Sequence, residues 1–514
     1  MIWNQSYDPM NNIWLSALMA AIPILFFIVA LTILKLKGHI AGILSIVVAG
    51  VIATFVYGMP VSKVIGTGLY GVLAGIWPVA AIVLAAIFLY KLTVKTGKFE
   101  IIKDSITSIT PDKRIQVLLV AYCFGAFLEG AAGFGAPVAI TAVILIGLGF
   151  KPLQAAGLCL VANIAGGSYG AMGIPVTTPA ALTDLSPLDV AAYTSYIIPA
   201  ISLVIAFLLV FLVDGFRGIK ETWLATLICG GVFAGVQYIT LNLIGAVLVD
   251  ILAASISLIA LTIFMVVREK GGYKSDLKKV AFAWLPFIIL TALVILFSQV
   301  TFNNLIIKMP IPGVHNQIIK HPPIVTEETP YAAVFNLDLF SSTVTAIVLA
   351  ALLTILIFRI PGKIVKESAA DTVKELLFPI ITICSVLAFA YICNYSGMSS
   401  TLGLAFASTQ GLFPLFSPIL GWIGVFLTGS VVNSGSLFAP LQSVTATQIG
   451  IEPATMVAAN VIGGDMAKMI SPQSVAVAAA AVGLTGRENE LFKFTIKISI
   501  IFLLIVGIVN LIIY

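Results

Sequence analysis

Long apolar stretches alternate with short polar segments along the whole chain. A helix needs about 20 mostly apolar residues to cross a hydrocarbon core. Stretches of about this length predict the helices 13–34, 40–56, 69–90, 188–213, 222–243, 246–267, 279–300, 339–358, 373–393 and 491–514. The pattern is typical of an all-α, polytopic transmembrane protein whose outer surface contacts membrane lipid.

Basic residues concentrate in alternate loops, which predicts the direction of each helix. The clusters are Lys91–Arg114, Arg217/Lys220, Arg268–Lys279, Arg359–Lys374 and Arg487/Lys493. The positive-inside rule places these loops in the cytoplasm. The polar stretch Thr301–Asp338 and both termini then lie outside, and the glycine-rich regions 115–187 and 396–486 each need an odd number of crossings.

Composition excludes several other classes of protein. Hydrophobic residues make up 60% of the 514 residues and charged residues 10%, whereas soluble domains are about 45–50% apolar. The net charge of +5 lies in short loops, so it indicates membrane orientation and no nucleic-acid partner. The first apolar run has no preceding Lys or Arg, so it is interpreted as a spanning helix and not a signal peptide. Without a CxxC pair or a Walker motif, neither a metal nor a cofactor is expected.

The second half of the chain repeats features of the first. Pro78, Phe88 and Tyr90 recur as Pro379, Phe389 and Tyr391 with one common offset. Further along, Ala-Pro and Ala-Asn with a following Gly-Gly also recur. Loop charge gives the matching helices opposite directions, so the repeat is predicted to be inverted. Inverted repeats of secondary transporters place the substrate near the membrane midplane.

The repeat predicts how the chain is organised. Residues 1–214 form the first inverted repeat, 215–278 a connecting helical pair, and 279–514 the second repeat. The regions 115–187 and 396–486 are expected to hold re-entrant hairpins and unwound helices. The alternative explanation is that helices rich in Ala, Gly and Pro look alike by chance.

Each glycine-rich region contains a stretch that interrupts a helix at membrane depth. Residues 123–137 hold Glu129 among glycines and a proline, and residues 429–440 hold Asn433, Ser434, Gly435 and Ser436. Freed backbone groups are tolerated in a membrane only against protein or a watery cavity. A helix N-terminus after such a break suits a carboxylate. The alternative is a packing interface of small residues.

Ionisable residues inside the apolar runs are few, and each is costly there. Glu129 is predicted to bind a coupled proton, and Lys468 to hold a substrate carboxylate. Asp465, three residues before Lys468, is close enough for an i,i+3 ion pair on a helix and is a second proton-coupling candidate. A purely structural ion pair and a structural carboxyl remain the alternatives. Asp250 begins its helix and is interpreted as interfacial.

Residues Gly166–Gly170 match the G-x-S-x-G pattern of hydrolases. That motif requires a strand-turn-helix context and a histidine partner. The context is absent, and His39, His315 and His321 all lie in loops. The protein is therefore not expected to be an enzyme.

Several long motifs resemble the L-lactate permease family. They are Glu129-Gly-Ala-Ala-Gly-Phe-Gly-Ala-Pro137, Tyr90–Gly97, Gly149–Pro152 and Lys468-Met-Ile-Ser-Pro-Gln473. The resemblance implies import of L-lactate, with D-lactate and glycolate as further substrates, by symport with H⁺. It also implies distant kinship with ion transporters built from inverted repeats. The predicted substrate-binding residues are Lys468, Gly130, Gly133, Phe134, Gly135, Asn433, Ser434, Gly435, Ser436 and Gln473.

Two positions depart from the pattern of the family. Members tend to carry an acid after the Gly-Ser that opens the second break, whereas Val431 follows Ser430 here. Members also tend to lack an acid where Asp465 stands. One hypothesis is that the acidic function lies at Asp465 in this chain.

The predicted function is alternating-access transport across a bacterial cytoplasmic membrane. The predicted ligands are 2-hydroxy monocarboxylates and H⁺. A Na⁺-coupled carboxylate symporter and a passive channel or facilitator are the alternatives. The sequence leaves a homodimer open.

Overall fold

The computed structural model describes residues 2–133, 136–269, 276–299, 306–340 and 342–514. The first part of the chain forms α1 Ile13–Thr32, α2 Gly38–Phe55, α3 Val61–Lys95, α4 Lys98–Thr107, α5 Lys113–Ala131, α6 Ala136–Gly147, α7 Pro152–Gly167, α8 Gly170–Leu182, α9 Pro187–Thr194, α10 Ile198–Leu243 and α11 Val249–Glu269. The second part forms α12 Leu277–Gln299, α13 Thr343–Ile357, α14 Gly362–Tyr395, α15 Met398–Ala407, α16 Phe413–Thr428, α17 Val431–Gln448, α18 Pro453–Lys468, α19 Pro472–Ala481 and α20 Glu488–Ile513. The short strands are β1 Trp3–Asn4, β2 Ile307–Pro310, β3 Ile318–Lys320, β4 Thr329–Pro330 and β5 Val334–Leu337.

The helices confirm the prediction of an all-α, polytopic membrane protein. In the part of the chain that the structure describes, ten helices are long and apolar enough to cross a membrane. The helix predicted at 188–213 is divided, because its first residues belong to α9 and the rest to α10. Helix α10 continues through the predicted segment 222–243, and its backbone is non-helical at Asp214 and Gly215. The helix predicted at 339–358 is shorter and covers Thr343–Ile357. The number of crossings within 115–187 and 396–486 stays a prediction.

The second half repeats the first in the order and the packing of its helices. In each half a left-handed glycine, Gly97 or Gly397, leads from a long helix into one of ten residues. The contacts are reciprocal, since α2 packs on α14 as α13 packs on α3, and α1 packs on α15 as α12 packs on α4. Likewise α8 packs on α17 as α19 packs on α6. These contacts show that α1–α8 of the first half correspond, in order, to α12–α19 of the second half.

The matching helices α3 and α14 run in opposite directions. Along their interface, residue numbers rise in α3 while they fall in α14. A Cβ placed on Gly71 would lie 2.5 Å from Ala388 Cα, and one on Gly75 would lie 2.8 Å from Cys384 Cα. Further along, Lys95 Nζ lies 2.7 Å from a carboxylate oxygen of Asp371. The repeat is therefore inverted, as predicted, and its exact boundaries stay a prediction.

Strands form a small cap at one end of the helices, in which β1 from the N-terminal segment joins four strands from the stretch predicted only as a polar loop. Strand β3 lies between β1 and β4, and β2 pairs with β5. The cap is attached to the end of α14, where Gln5 Nε2 donates to the Tyr395 carbonyl oxygen at 2.8 Å. The ring of Tyr331 stacks on that of Tyr395 with centroids 4.0 Å apart.

The close approach of α3 and α14 generates a stability prediction. Gly71→Ala should lower the free energy of unfolding by about 1–3 kcal/mol, because the new methyl group meets the α14 backbone and not a side chain that can move. Gly231→Ala is the matched control, since a Cβ there has no neighbour within 4 Å and alanine favours the helix. The measurement is thermal unfolding of the purified protein in detergent. Equal midpoints for the two variants would contradict this packing.

Candidate functional site

Four helix breaks lie in the interior of the molecule, two from each repeat. In the first repeat, α5 ends before Gly133, whose φ is +62°, and α7 ends before Ser168. In the second, α16 ends before Gly429, whose φ is +72°, and α18 ends before residues 469–471. A positive φ favours glycine because it has no Cβ. The predicted site residues Phe134 and Gly135 lie outside the described residues.

A small cavity lies where these breaks meet. Its volume is about 80 Å³, and all four breaks contribute to its walls. Gly133, Lys468 and Gln473, three of the predicted substrate-binding residues, line it, and so does Glu129. The size suits a small organic molecule and is well below the roughly 300–1,000 Å³ of sites for larger ligands.

Glu129 and Lys468 form a buried ion pair across the cavity. Lys468 Nζ donates to Glu129 Oε1, and the side chains are 2% and 12% exposed. The other carboxylate oxygen of Glu129 accepts from Asn163 Nδ2 at 2.9 Å. Because Glu129 lies in the last turn of α5 in the first repeat and Lys468 ends α18 in the second, this contact joins the two repeats.

The ion pair that the i,i+3 spacing allows between Asp465 and Lys468 does not form in the described structure, where Lys468 pairs with Glu129. Lys468 is the last residue of α18, so its side chain reaches beyond the helix end to Glu129. Asp465 is fully buried, and its Oδ2 accepts from Ser168 Oγ at 2.7 Å. Its Oδ1 has no hydrogen-bond partner in the described structure.

The interfacial interpretation of Asp250 is also wrong. Asp250 lies in the first turn of α11 and is only 2% exposed. It packs against Gly130 and Gly166, since a Cβ on Gly130 would lie 2.7 Å from Asp250 Cβ. Neither carboxyl oxygen of Asp250 has a hydrogen-bond partner among the described residues. Asp250 could have been found from the sequence, because any ionisable residue inside an apolar run is a functional candidate.

The segment Gly166–Gly170 makes room for three carboxyl groups. A Cβ on Gly166 would lie 3.1 Å from Asp250 Oδ2, and one on Gly170 would lie 2.5 Å from Glu129 Oε1. A Cβ on Gly167 would overlap Asp465 Oδ1. The motif that resembles a hydrolase signature is therefore a glycine-rich turn, and each of its three glycines faces a different acid.

The polar side chains that were predicted to bind substrate at the second helix break do not face the cavity. Ser434 Oγ donates to the Gly421 carbonyl oxygen at 3.0 Å, and Ser436 Oγ donates to the Val432 carbonyl oxygen at 2.8 Å. Gly435 packs against Pro179. Asn433 is buried and, like Gly130, does not line the cavity.

Two serines that the sequence analysis missed line the cavity instead. Ser430 accepts a hydrogen bond from the Asn433 backbone N–H at 3.3 Å and so begins α17, and Ser474 lies in the first turn of α19. The sequence signal for Ser430 is a serine at the start of an apolar helix, the usual N-terminal cap, whereas the cap of α19 is Ser471 and Ser474 follows it in the first turn. The N-termini of two helices thus face one cavity beside a lysine.

A wider crevice of about 560 Å³ lies between α4 and α6. Its walls are mostly apolar, and its charged members Glu100 and Lys103 form an ion pair with each other. Neither Glu129 nor Lys468 lines it. The smaller cavity is therefore the candidate site, because the buried Glu129–Lys468 pair lines it.

The ion pair generates a prediction about stability. Lys468→Met should cost about 3–5 kcal/mol of unfolding free energy, because it leaves a buried carboxylate without its cation. Adding Glu129→Gln should recover much of that loss. The measurement is a double-mutant cycle on thermal unfolding in detergent. Lys91→Met, which breaks the more exposed pair with Glu375, should cost under about 1 kcal/mol, and additive effects of the two site substitutions would contradict the pairing.

Inverted repeats, broken helices and buried charges where the breaks meet define a multi-pass membrane transporter. Comparison with known proteins supports this class and narrows it. The family model for L-lactate permease matches residues 16–514. The chain belongs to the L-lactate permease family.

Curated relatives match over nearly their whole length. The chain is 48% identical to L-lactate permease of Salmonella typhi over 99% of this chain and 98% of that protein. It is 46% identical to a glycolate permease of Escherichia coli, over 99% and 97% of the two chains, and 42% identical to L-lactate permease of Bacillus subtilis, over 99% and 98%. Among solved structures it is similar to the YdaH transporter of Alcanivorax borkumensis, with 15% identity, 86% coverage of both chains and a TM-score of 0.46.

Proposed function

We propose that this protein imports L-lactate, and also D-lactate and glycolate, together with H⁺ across a bacterial cytoplasmic membrane. The ion pair between Glu129 and Lys468 carries the proposal. It shows a lysine at the cavity that already holds one carboxylate, and a substrate carboxylate can take the same place. The names of the relatives, L-lactate permease and glycolate permease, supply the class of substrate.

The coupling follows from exchange of one carboxylate for another. When the substrate carboxylate binds Lys468, Glu129 loses its cation. A buried carboxylate without a cation costs several kcal/mol, so Glu129 takes up a proton. The site then holds Lys468 with the anionic substrate and a neutral Glu129. One proton accompanies one carboxylate, and the net charge of the site is the same with and without substrate.

The serines of the cavity give a means of recognising the hydroxyl group. Lactate and glycolate both carry a hydroxyl on the carbon next to the carboxylate. Ser430, Gln473 and Ser474 line the cavity with Lys468 and can donate to or accept from that hydroxyl. The N-termini of α17 and α19 favour the negative charge of the substrate.

The inverted repeats supply the route across the membrane. The site lies between elements of both repeats, as it does in transporters that expose one site alternately to the two sides. The distribution of basic loops favours both termini outside.

Coupling to protons is testable in proteoliposomes with labelled L-lactate. A pH gradient at constant Na⁺ should drive accumulation above equilibrium, and Glu129→Gln should reduce accumulation to background while lactate exchange remains detectable. Glu328→Gln, in the exposed part of the cap, is the control. Accumulation driven only by a Na⁺ gradient would favour the sodium symporter, and none under either gradient would favour a facilitator.

Recognition of the hydroxyl makes a separate prediction. Ser430→Ala should weaken the competition of L-lactate against labelled substrate by about tenfold, as expected for about 1.4 kcal/mol from one lost hydrogen bond. Propionate, which lacks the hydroxyl, should compete equally well in both proteins. Ser443→Ala, in the same helix but away from the cavity, is the control. An equal loss for both acids would show that Ser430 does not recognise the hydroxyl.

A further inference from the structure

Three buried carboxyl groups share one cation at the site. Glu129, Asp250 and Asp465 are each at most 2% exposed, and Lys468 is the cation that acts on them in the described structure. Glu129 takes that cation in its ion pair. A buried charge that is neither paired nor hydrogen-bonded is very costly. The remaining two carboxyl groups therefore cannot both be ionised.

Of the three carboxyl groups, Asp250 has the fewest hydrogen bonds and ion pairs that could stabilise a negative charge. Asp465 accepts a hydrogen bond from Ser168, whereas neither oxygen of Asp250 has a hydrogen-bond partner in the part of the chain that the structure describes. The charged groups that interact electrostatically with Asp250 from neighbouring helices are Glu129 on α5 and Asp465 and Lys468 on α18. The Tyr169 hydroxyl of the glycine turn also faces this region, but it donates to Thr194 Oγ1 at 2.8 Å.

The packing places Asp250 beside Glu129. Gly130 follows Glu129 directly in the chain and contacts Asp250, and Gly166 contacts Asp250 on the turn that also faces Glu129 through Gly170. The glycines contribute no side chain at these contacts. A buried polar group without a partner calls for an explanation such as a catalytic or ligand-binding role, and here the ligand is a proton.

We propose that Asp250 is a second proton-binding group of the transport site and the donor of the coupled proton to Glu129. The proposal rests on the proton symport proposed above. In the state with the Glu129–Lys468 pair, Asp250 is a neutral carboxylic acid. When the substrate displaces Glu129 from Lys468, the O–H bond of Asp250 breaks and one forms on Glu129. Asp250 then regains a proton from water on the side where substrate entered, so one proton is taken up for each carboxylate.

The test compares two transport modes in proteoliposomes of the full chain. Asp250→Asn keeps the size and neutrality of the acid but cannot release a proton. The ratio of accumulation driven by a pH gradient to lactate exchange at equal pH should fall at least tenfold in this variant. A merely structural loss would lower both modes together and leave the ratio unchanged. Asp189→Asn is the matched control, since Asp189 also lies in the first turn of a helix but is exposed.

The outcomes separate this proposal from the proposed function. If the wild type does not accumulate lactate under a pH gradient, proton symport is overturned, and the role of Asp250 with it. If the wild type accumulates lactate and Asp250→Asn keeps the wild-type ratio, only the role of Asp250 is overturned.

A second measurement does not require Asp250→Asn to fold. Infrared spectra of Asp465→Asn, which keeps the Glu129–Lys468 pair, should still show the carbonyl stretch of a protonated buried carboxylic acid at neutral pH. The absence of that band would overturn the proposal.

Discussion

The ion pair between Glu129 and Lys468 is the constraint on which the site depends. It joins the last turn of a helix in one repeat to the end of a helix in the other, and the two side chains are only 2% and 12% exposed. Removing either partner leaves a buried charge, whereas exchanging one carboxylate for another leaves the balance intact. The same contact therefore holds the repeats together without substrate and can give way when a carboxylate of suitable size arrives.

The glycines around this ion pair leave room for neighbouring side chains, in addition to giving the backbone conformational freedom. The turn Gly166–Gly170 faces three acids, and a methyl group on Gly167 or Gly170 would displace a carboxyl oxygen. Small residues of this kind are commonly explained by close helix packing in membranes. Here they also allow acids to gather around one lysine, which packing alone does not require.

The sequence predicted the spans, the inverted repeat and both members of the ion pair, because apolar length, offset and buried charge are local or pairwise signals. It allowed Asp465 as a partner of Lys468, but an i,i+3 spacing says nothing about a side chain that leaves the end of its helix. Asp250 looked interfacial because a helix start resembles a membrane boundary, and only tertiary packing buries it. Ser434 and Ser436 turn away from the cavity because α17 begins at Val431, and that start fixes which face each residue occupies.

The two repeats match in structure, but their charges differ for a geometric reason. The recurring Ala-Asn and Gly-Gly align α7 with α18 and place Ala171 at the position that corresponds to Lys468. Ala171 and Lys468 both line the cavity of about 80 Å³. A lysine at both positions would bring two like charges into this small space, so the small side chain of Ala171 leaves the cavity to one cation. For this reason Glu129, Asp250 and Asp465, which come from both repeats and from α11, depend on the same positive charge.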